Sequence, residues 1–227
     1  YYLAPNNTKE IIYTTKQNCT IQNIPNLAKH LARFQSIMNA RRENLNGRLQ
    51  FFHLHWARDS YFFEKGEKIL AVRKCVNEPI FSYTEYEAYV MLSLNVIKTN
   101  RINMKYLTGI LNSKLIAFWL RHKGKLQGSH YQIDKEPLLK IPIIEPNAKN
   151  KKIADKIVNL VDTILESKKS CHTEALAEVS LKIDNRDISV STKPQYDKKI
   201  KDLESQIDDL VYKLYDLDSQ EIEIIES

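Results

Sequence analysis

The chain has 227 residues, 43% of them hydrophobic, which suits one sizeable domain with an appendage or two small domains and excludes disorder throughout. Cys19, Cys75 and Cys171 are odd in number and widely spaced, which argues against a disulfide framework or a zinc cage. No run of about 18 or more uncharged apolar residues and no signal-peptide order is present, so the chain reads as soluble and cytoplasmic. Its net charge of +6 divides unevenly: residues 1–147 hold 21 Lys and Arg against 11 Asp and Glu, a net +10, and residues 148–227 hold 13 against 17, a net −4. A basic first part suits a polyanion, nucleic acid being the commonest inside a cell, although acidic proteins and membrane surfaces also fit.

In chain order, residues 10–14 read as a first strand, rich in β-branched and aromatic residues. A helix follows from Asn26 to Arg42, after Pro25, with Leu27, Leu31, Phe34 and Met38 on one face. Strands are expected at 48–56 (RLQFFHLHW), 68–74 (KILAVRK) and 86–97 (YEAYVMLSLNVI). A second helix spans Asn103 to His122, with Leu107, Ile110, Leu111, Leu115, Phe118 and Trp119 turned inward. After it comes RHKGKLQGSHYQI, residues 121–133, where Arg121, Lys123 and Lys125 crowd around Gly124 and Gly128. Beyond residue 147 two apolar stripes, Ile153-Ile157-Leu160-Val161-Ile164 and Ile200-Leu203-Ile207-Leu210-Leu214, predict two helices that cover each other. The connection at 167–194 is oversized for a helical hairpin and reads as an exposed insertion, with one short helix near Glu174–Val179. Asp218 and Glu221 have the spacing of a capping box and open a last short helix.

The motifs of common catalytic sites are missing: no Gly-rich phosphate loop, no H-E-x-x-H and no G-x-S-x-G. His53 and His55 are too few ligands for a metal and read as structural or nucleic-acid-facing. Glu166-Ser167-Lys168, a nuclease-like triplet, falls on the outer face of a helix and is set aside. What remains is arginine and lysine interleaved with aromatics and glycine. Arg41, Arg42 and Arg48 surround Gly47, and Arg58 follows Trp56; guanidinium forks suit phosphate or a guanine edge, and a salt bridge from Arg58 to Asp59 or Glu64 is the plainer alternative. In the 121–133 stretch Lys123 and Lys125 are candidates for phosphate, Gln127 and His130 for base edges, with Gly124 and Gly128 allowing a tight turn. A basic turn that only caps the preceding helix is an equal reading.

Four ordered segments carry a resemblance: HLHWARDSYFFEKGEKILAVRK, YLTGILNSKLIAFWLRHKGKLQGSHYQI, PLLKIPI and IDDLVYKLYDLDSQEIEII. Together they resemble the C-terminal specificity domain of TaqI-like adenine DNA methyltransferases, an arrangement also found in single-chain restriction and modification enzymes of the Eco57I type. The resemblance covers nearly all of the chain except 171–193. It implies an α+β fold, a mixed α/β target-recognition body with C-terminal helices that pack on a companion part; charge and stripes put the body at residues 1–147 and an antiparallel helical hairpin at 148–227, while the inserted loop at 171–193 departs from the family, where the helices are joined more briefly. It implies double-stranded DNA and an upstream methyltransferase domain as partners; composition leads us to expect no membrane partner, and a dimer through the C-terminal helices is a further option. It also implies S-adenosylmethionine in that upstream domain, which carries an Asn-Pro-Pro-Tyr motif; this chain has no such motif, so it is expected to be a non-catalytic recognition module without a cofactor or metal. Asn112 and Ser113, characteristic of the family, are expected to serve structure rather than DNA. The rival readings are a scaffold that docks through the acidic hairpin and an autonomous nuclease.

Overall fold

In the computed structural model, residues 10–17, 19–76, 78–127, 130–183 and 193–227 are described, and they divide into two compact units that change over between residues 61 and 62. The smaller unit holds three short helices, α1 (Pro25–Ala32), α2 (Gln35–Asn39) and α3 (Arg42–Leu45), where the apolar spacing predicted one. The breaks fall at arginines that turn their side chains back on the last turn: Arg33 Nε donates to the His30 carbonyl and Arg41 Nε to that of Met38. Side-chain donors there compete with helix continuation for the terminal carbonyls. Its core is Cys19, Leu31 and Phe52, with Ile21, Ile24, Leu27 and Phe51 against them.

Neither strand expected before residue 60 forms. Residues 10–15 join no ladder, and 48–56 is mostly turns and bends. The two meet at one point, where the Leu54 amide donates to the Thr14 carbonyl at 2.8 Å and the Thr14 hydroxyl donates to the Phe52 carbonyl. His53 is buried there; its Nδ1 accepts from the Gln50 amide and its Nε2 faces the Cys19 carbonyl, each at 3.3 Å. That pairing fixes the tautomer with the proton on Nε2, an imidazole used for structure.

The larger unit is built on an antiparallel sheet ordered β3-β1-β4, with β1 at Lys68–Val72, β3 at Phe81–Thr84 and β4 at Leu94–Ile97; β2, Lys74–Cys75, leaves it for a second sheet. Strand β1 was legible in the sequence, while 86–97 forms a strand only at its end. Ile69, Leu70, Ala71 and Phe81 are buried. Lys68 is also buried, and its ammonium donates to the carbonyls of Phe63 and Glu64. Burial lowers its pKa.

The expected helix 103–122 is two helices, α4 (Met104–Leu111) and α5 (Lys114–Lys123). Asn103 caps α4 by accepting from the amides of Lys105 and Tyr106. At the break Asn112 accepts from the Phe81 amide at 3.1 Å and donates to the Phe81 carbonyl at 2.9 Å, so its carboxamide pairs with β3 as a strand would. Ser113 then caps α5. Both residues serve structure, as expected.

After the hairpin β5 (Lys125–Gln127) and β6 (His130–Gln132) come α6 (Lys135–Leu139) and three C-terminal helices, α7 (Lys151–Ile183), α8 (Lys193–Leu214) and α9 (Ser219–Glu226). The two stripes read from the sequence do pack together: Ile157, Val161 and Ile164 are buried with Ile200, Ile207 and Leu214. They share one core with the sheet and α4. Gly109 of α4 permits this, since a Cβ there would lie 2.6 Å from Ile157 Cγ2. The residues on either side of the change of charge at 147/148 share one core. Helix α7 continues to Ile183, well past the expected end near 167, because Ala175, Leu176, Ala177, Glu178 and Leu181 favour helix and no glycine or proline intervenes. Of the expected 171–193 loop, only 184–192 lies outside the described residues. Pro194 falls in the first turn of α8, where its missing N–H costs nothing.

Helix α5 begins against α8. The buried Asp208 carboxylate accepts from the Lys114 amide at 2.8 Å, while Lys114 Nζ pairs with Glu226 of α9 at 2.9 Å. The capping box expected at Asp218 and Glu221 is complete and starts α9 at that place. Burial raises the Asp208 pKa to about 6, against the opposing pull of the Lys114 amide. In the window between its ordinary value and about 6 the folded chain binds more protons at this site, so the stability contributed here falls as pH rises. The variant Asp208→Asn is expected to gain on the parent by roughly 2–3 kcal/mol between pH 3.5 and pH 7, read from urea melts at both values; a constant gap would mean that Asp208 titrates alike in the folded and unfolded chain.

Candidate nucleic-acid interface

The 121–133 stretch carries the end of α5 directly into the paired strands β5 and β6. Gly124 closes α5, donating its amide to the Leu120 carbonyl, with an extended backbone of φ −71° and ψ 161°. It needs no left-handed conformation, and the chain runs straight into β5; Gly128 lies outside the described residues. The register of the second sheet, ordered β2-β6-β5, then sorts the positions by face. Lys74 pairs with Gln132 and Gln132 with Lys125, which sets these three in one row across the sheet. The next row is Cys75, Tyr131 and Leu126, on the opposite face, and Cys75 there is buried in the core. By the two-residue period, positions 127 and 130, themselves paired, return to the face of the first row. Lys74 and Lys125 are exposed, so this face is turned outward. The side chains of Gln127 and His130 lie outside the described residues; their positions share a ribbon face with two lysines. Lys123 is exposed at the end of α5.

The base of this ribbon is fixed by a residue that the sequence reading passed over. Arg73, between β1 and β2, donates Nη2 to Asp134 Oδ1 at 2.8 Å and Nη1 to the Leu92 carbonyl at 3.0 Å. Its own carbonyl accepts from the Ile133 amide at 2.8 Å. Gln132 Nε2 reaches the same Asp134 oxygen at 2.7 Å, and Asn95 Nδ2 donates to the Ile133 carbonyl at 3.1 Å. These donors, Gln132 first and Arg73 next, hold the Asp134 carboxyl below its usual range. A lone arginine at a strand end gives no signal of this role, because its partner is 61 residues away.

In the smaller unit the four arginines separate. The Arg41 guanidinium is half-buried and donates to three carbonyls, those of Met38, Phe51 and His53, at 2.9–3.1 Å, so it clamps the 51–53 turn to α2. That engagement removes most of the fork expected for phosphate. Arg42 and Arg48 are exposed, on either side of Gly47, whose φ of +67° is the left-handed turn glycine supplies. Arg58 is half-buried, and its carbonyl accepts from the Tyr13 hydroxyl at 2.7 Å. Residues 7–61 hold eight Lys and Arg against three Asp and Glu, a net +5, and the rest of the chain holds 26 against 25, a net +1. The net positive charge therefore sits almost wholly in the smaller unit.

Among the described residues no helix is long and apolar enough to cross a membrane, and no group of three or more His, Cys, Asp and Glu could hold a metal ion. A groove of about 1020 Å³ contains Asp208, Glu204, Lys168 and Lys201, but its deepest carboxylate, Asp208, is already spent on the start of α5.

The family model described as "TaqI-like C-terminal specificity domain" matches residues 8–143. Two curated relatives are 27% identical over 161 residues: the type II methyltransferase M.HincII of Haemophilus influenzae and M.HindII of Haemophilus influenzae strain Rd. Each alignment covers 66% of this chain but 32% and 30% of the respective relative, so the chain spans about a third of their length. The fold is similar to that of the Type IIL restriction-modification enzyme MmeI, solved in complex with DNA, with a TM-score of 0.60 at 14% identity over 90% of this chain and 26% of that one.

Removal of the Arg73 clamp is expected to loosen the ribbon before the core. In Arg73→Ala, hydrogen exchange of the 125–127 and 130–132 amides should speed up while the 68–72 strand stays protected. A double-mutant cycle with Asp134→Ala should return a coupling of about 1–2 kcal/mol; no coupling would mean that the ribbon stands without the pair.

Proposed function

Given that the chain belongs to the TaqI-like C-terminal specificity domain family, we propose that it is the DNA target-recognition domain of a restriction-modification adenine methyltransferase. The observation that carries this is the outward ribbon face on which Lys74, Lys125 and Gln132 lie in one row with positions 127 and 130 beyond them. A two-stranded ribbon is of a size to enter the major groove. Lysines at its base suit phosphates, and a carboxamide at position 127 farther along suits the N6 and N7 edge of adenine. Arg42 and Arg48 add phosphate contacts from the smaller unit, and Arg41 acts through the turn it holds.

On this reading the chemistry belongs to another part of the full-length protein, which would hold S-adenosylmethionine and methylate N6 of an adenine flipped out of the duplex. The C-terminal helices, which end in a 216–226 segment with five Asp and Glu and no Lys or Arg, are assigned to protein contact, first with that methyltransferase region, and otherwise with a second copy of the chain. Cytoplasmic residence follows from the same reading, since its substrate is there.

The test is duplex binding at several salt concentrations. Affinity should fall as salt rises, and Lys74→Ala combined with Lys125→Ala should flatten the slope of log K against log salt by about 2, one phosphate each. In the full-length methyltransferase, Gln127→Ala should change the preferred site at a cost of roughly 1–3 kcal/mol for the base concerned. Salt-independent binding, or a site preference untouched by Gln127 and His130 substitutions, would refute the ribbon as the reader.

A further inference from the structure

Trp56 is placed where a tryptophan has no structural reason to be. Its φ is +55°, in the left-handed region that bulky side chains avoid at a cost of roughly five- to thirty-fold in population. Its side chain is not buried in return, for the residue is 81% exposed. The turn that carries it is nonetheless firmly framed. Leu54 on one side donates its amide to Thr14, and Arg58 on the other accepts from the Tyr13 hydroxyl. The indole leans on the His55 ring, with centroids 4.6 Å apart. His55 Nε2 lies 3.1 Å from Glu43 Oε1, and the same oxygen is 4.0 Å from Arg42 Nε. The Glu43 carbonyl accepts from the Arg48 amide at 3.0 Å. Indole, imidazole, carboxylate and the Arg42–Arg48 turn are therefore linked by direct contacts on the part of the chain that holds +5 of the net +6.

We propose that Trp56 is a stacking platform for a nucleobase, held ready by the His55–Glu43 pair while Arg42 and Arg48 take the flanking phosphates. The inference rests on the DNA-binding reading above and adds a residue and a contact type to it. A strained, exposed aromatic on a rigid turn is a binding cost met in advance. The surrounding excess of cations selects a polyanion over an acidic-rimmed protein groove, and every base offers a π-face regardless of sequence. The base would be one left unstacked, at a kinked step, a gap or a single-stranded end.

The test uses the 227-residue chain with three probes: a continuous duplex, the same duplex with a one-nucleotide gap, and a single strand. Trp56→Gly removes the side chain and suits the backbone, so its melting temperature should equal or exceed that of the parent. Its affinity for the gapped duplex and the single strand should fall roughly five- to a hundred-fold, with a smaller loss on continuous duplex. Trp56→Phe should recover part of the loss. The parent's fluorescence, from Trp56 and Trp119, should be quenched on binding, and that of Trp56→Gly should not. If the parent binds and Trp56→Gly binds equally well without a lost fluorescence change, the stacking role is wrong and the DNA reading stands. If the parent binds none of the probes at low salt, both are wrong. A lowered melting temperature in both variants would make Trp56 a packing residue and overturn the proposal.

Discussion

The pairing of the Asn112 carboxamide with both backbone groups of Phe81 is the constraint on which the larger unit depends. One side chain ends α4, completes the edge of β3 and frees Ser113 to start α5 in a new direction. An apolar segment that would otherwise run as one helix is thereby bent at a defined point. The end of α5, and the ribbon that follows it, are delivered from there. Asp208 and Glu226 then hold the first turn of α5 from two further helices, so the delivery is stiff. Stiffness has a purpose for a reader of sequence: side chains must meet base edges within a few tenths of an ångström, and a swinging ribbon could not discriminate.

Much of this was legible in the amino-acid order, and the reasons are physical. The stripes of α7 and α8, the strand at 68–72 and the box at Asp218 and Glu221 are local or periodic signals, whose partners lie a few residues off. The break at Asn112 was not, since Asn112 and Ser113 offer only a cap residue's weak signal in a continuous apolar run; the partner that decides it is a strand 31 residues earlier. The smaller unit misled for a related reason. Its runs of Phe, His and Leu look like strand, but no neighbouring chain supplies a ladder, and the backbone settles into turns around Phe52. The end of α7 was misjudged by trusting the loss of stripe over the intrinsic preference of the residues, which goes on favouring helix after its apolar face has faded.

The candidate site shows the same division. Lys123 and Lys125 could be picked by type and crowding, whereas Lys74 becomes their neighbour only through the register of β2 on β6. Among the arginines, composition cannot separate Arg41 from Arg42. Three carbonyls within reach decide it, and two of them come from a turn ten to twelve residues on. Residue type nominated the cations, and geometry sorted those available to a ligand from those engaged in holding the fold.

Gly109 has a bearing on how such a domain can be recombined. Because α4 lies against Ile157 with no room for a β-carbon, the C-terminal helices and the body before them are matched surfaces, fitted to each other methyl by methyl. A chimaera joined at residue 147, where the charge changes sign, would marry a foreign α7 to this α4 and force the two apart. Specificity in this lineage is therefore expected to travel by exchange of loops and ribbons on a retained frame, or by transfer of the whole of 62–227 as one block, and not by trading halves.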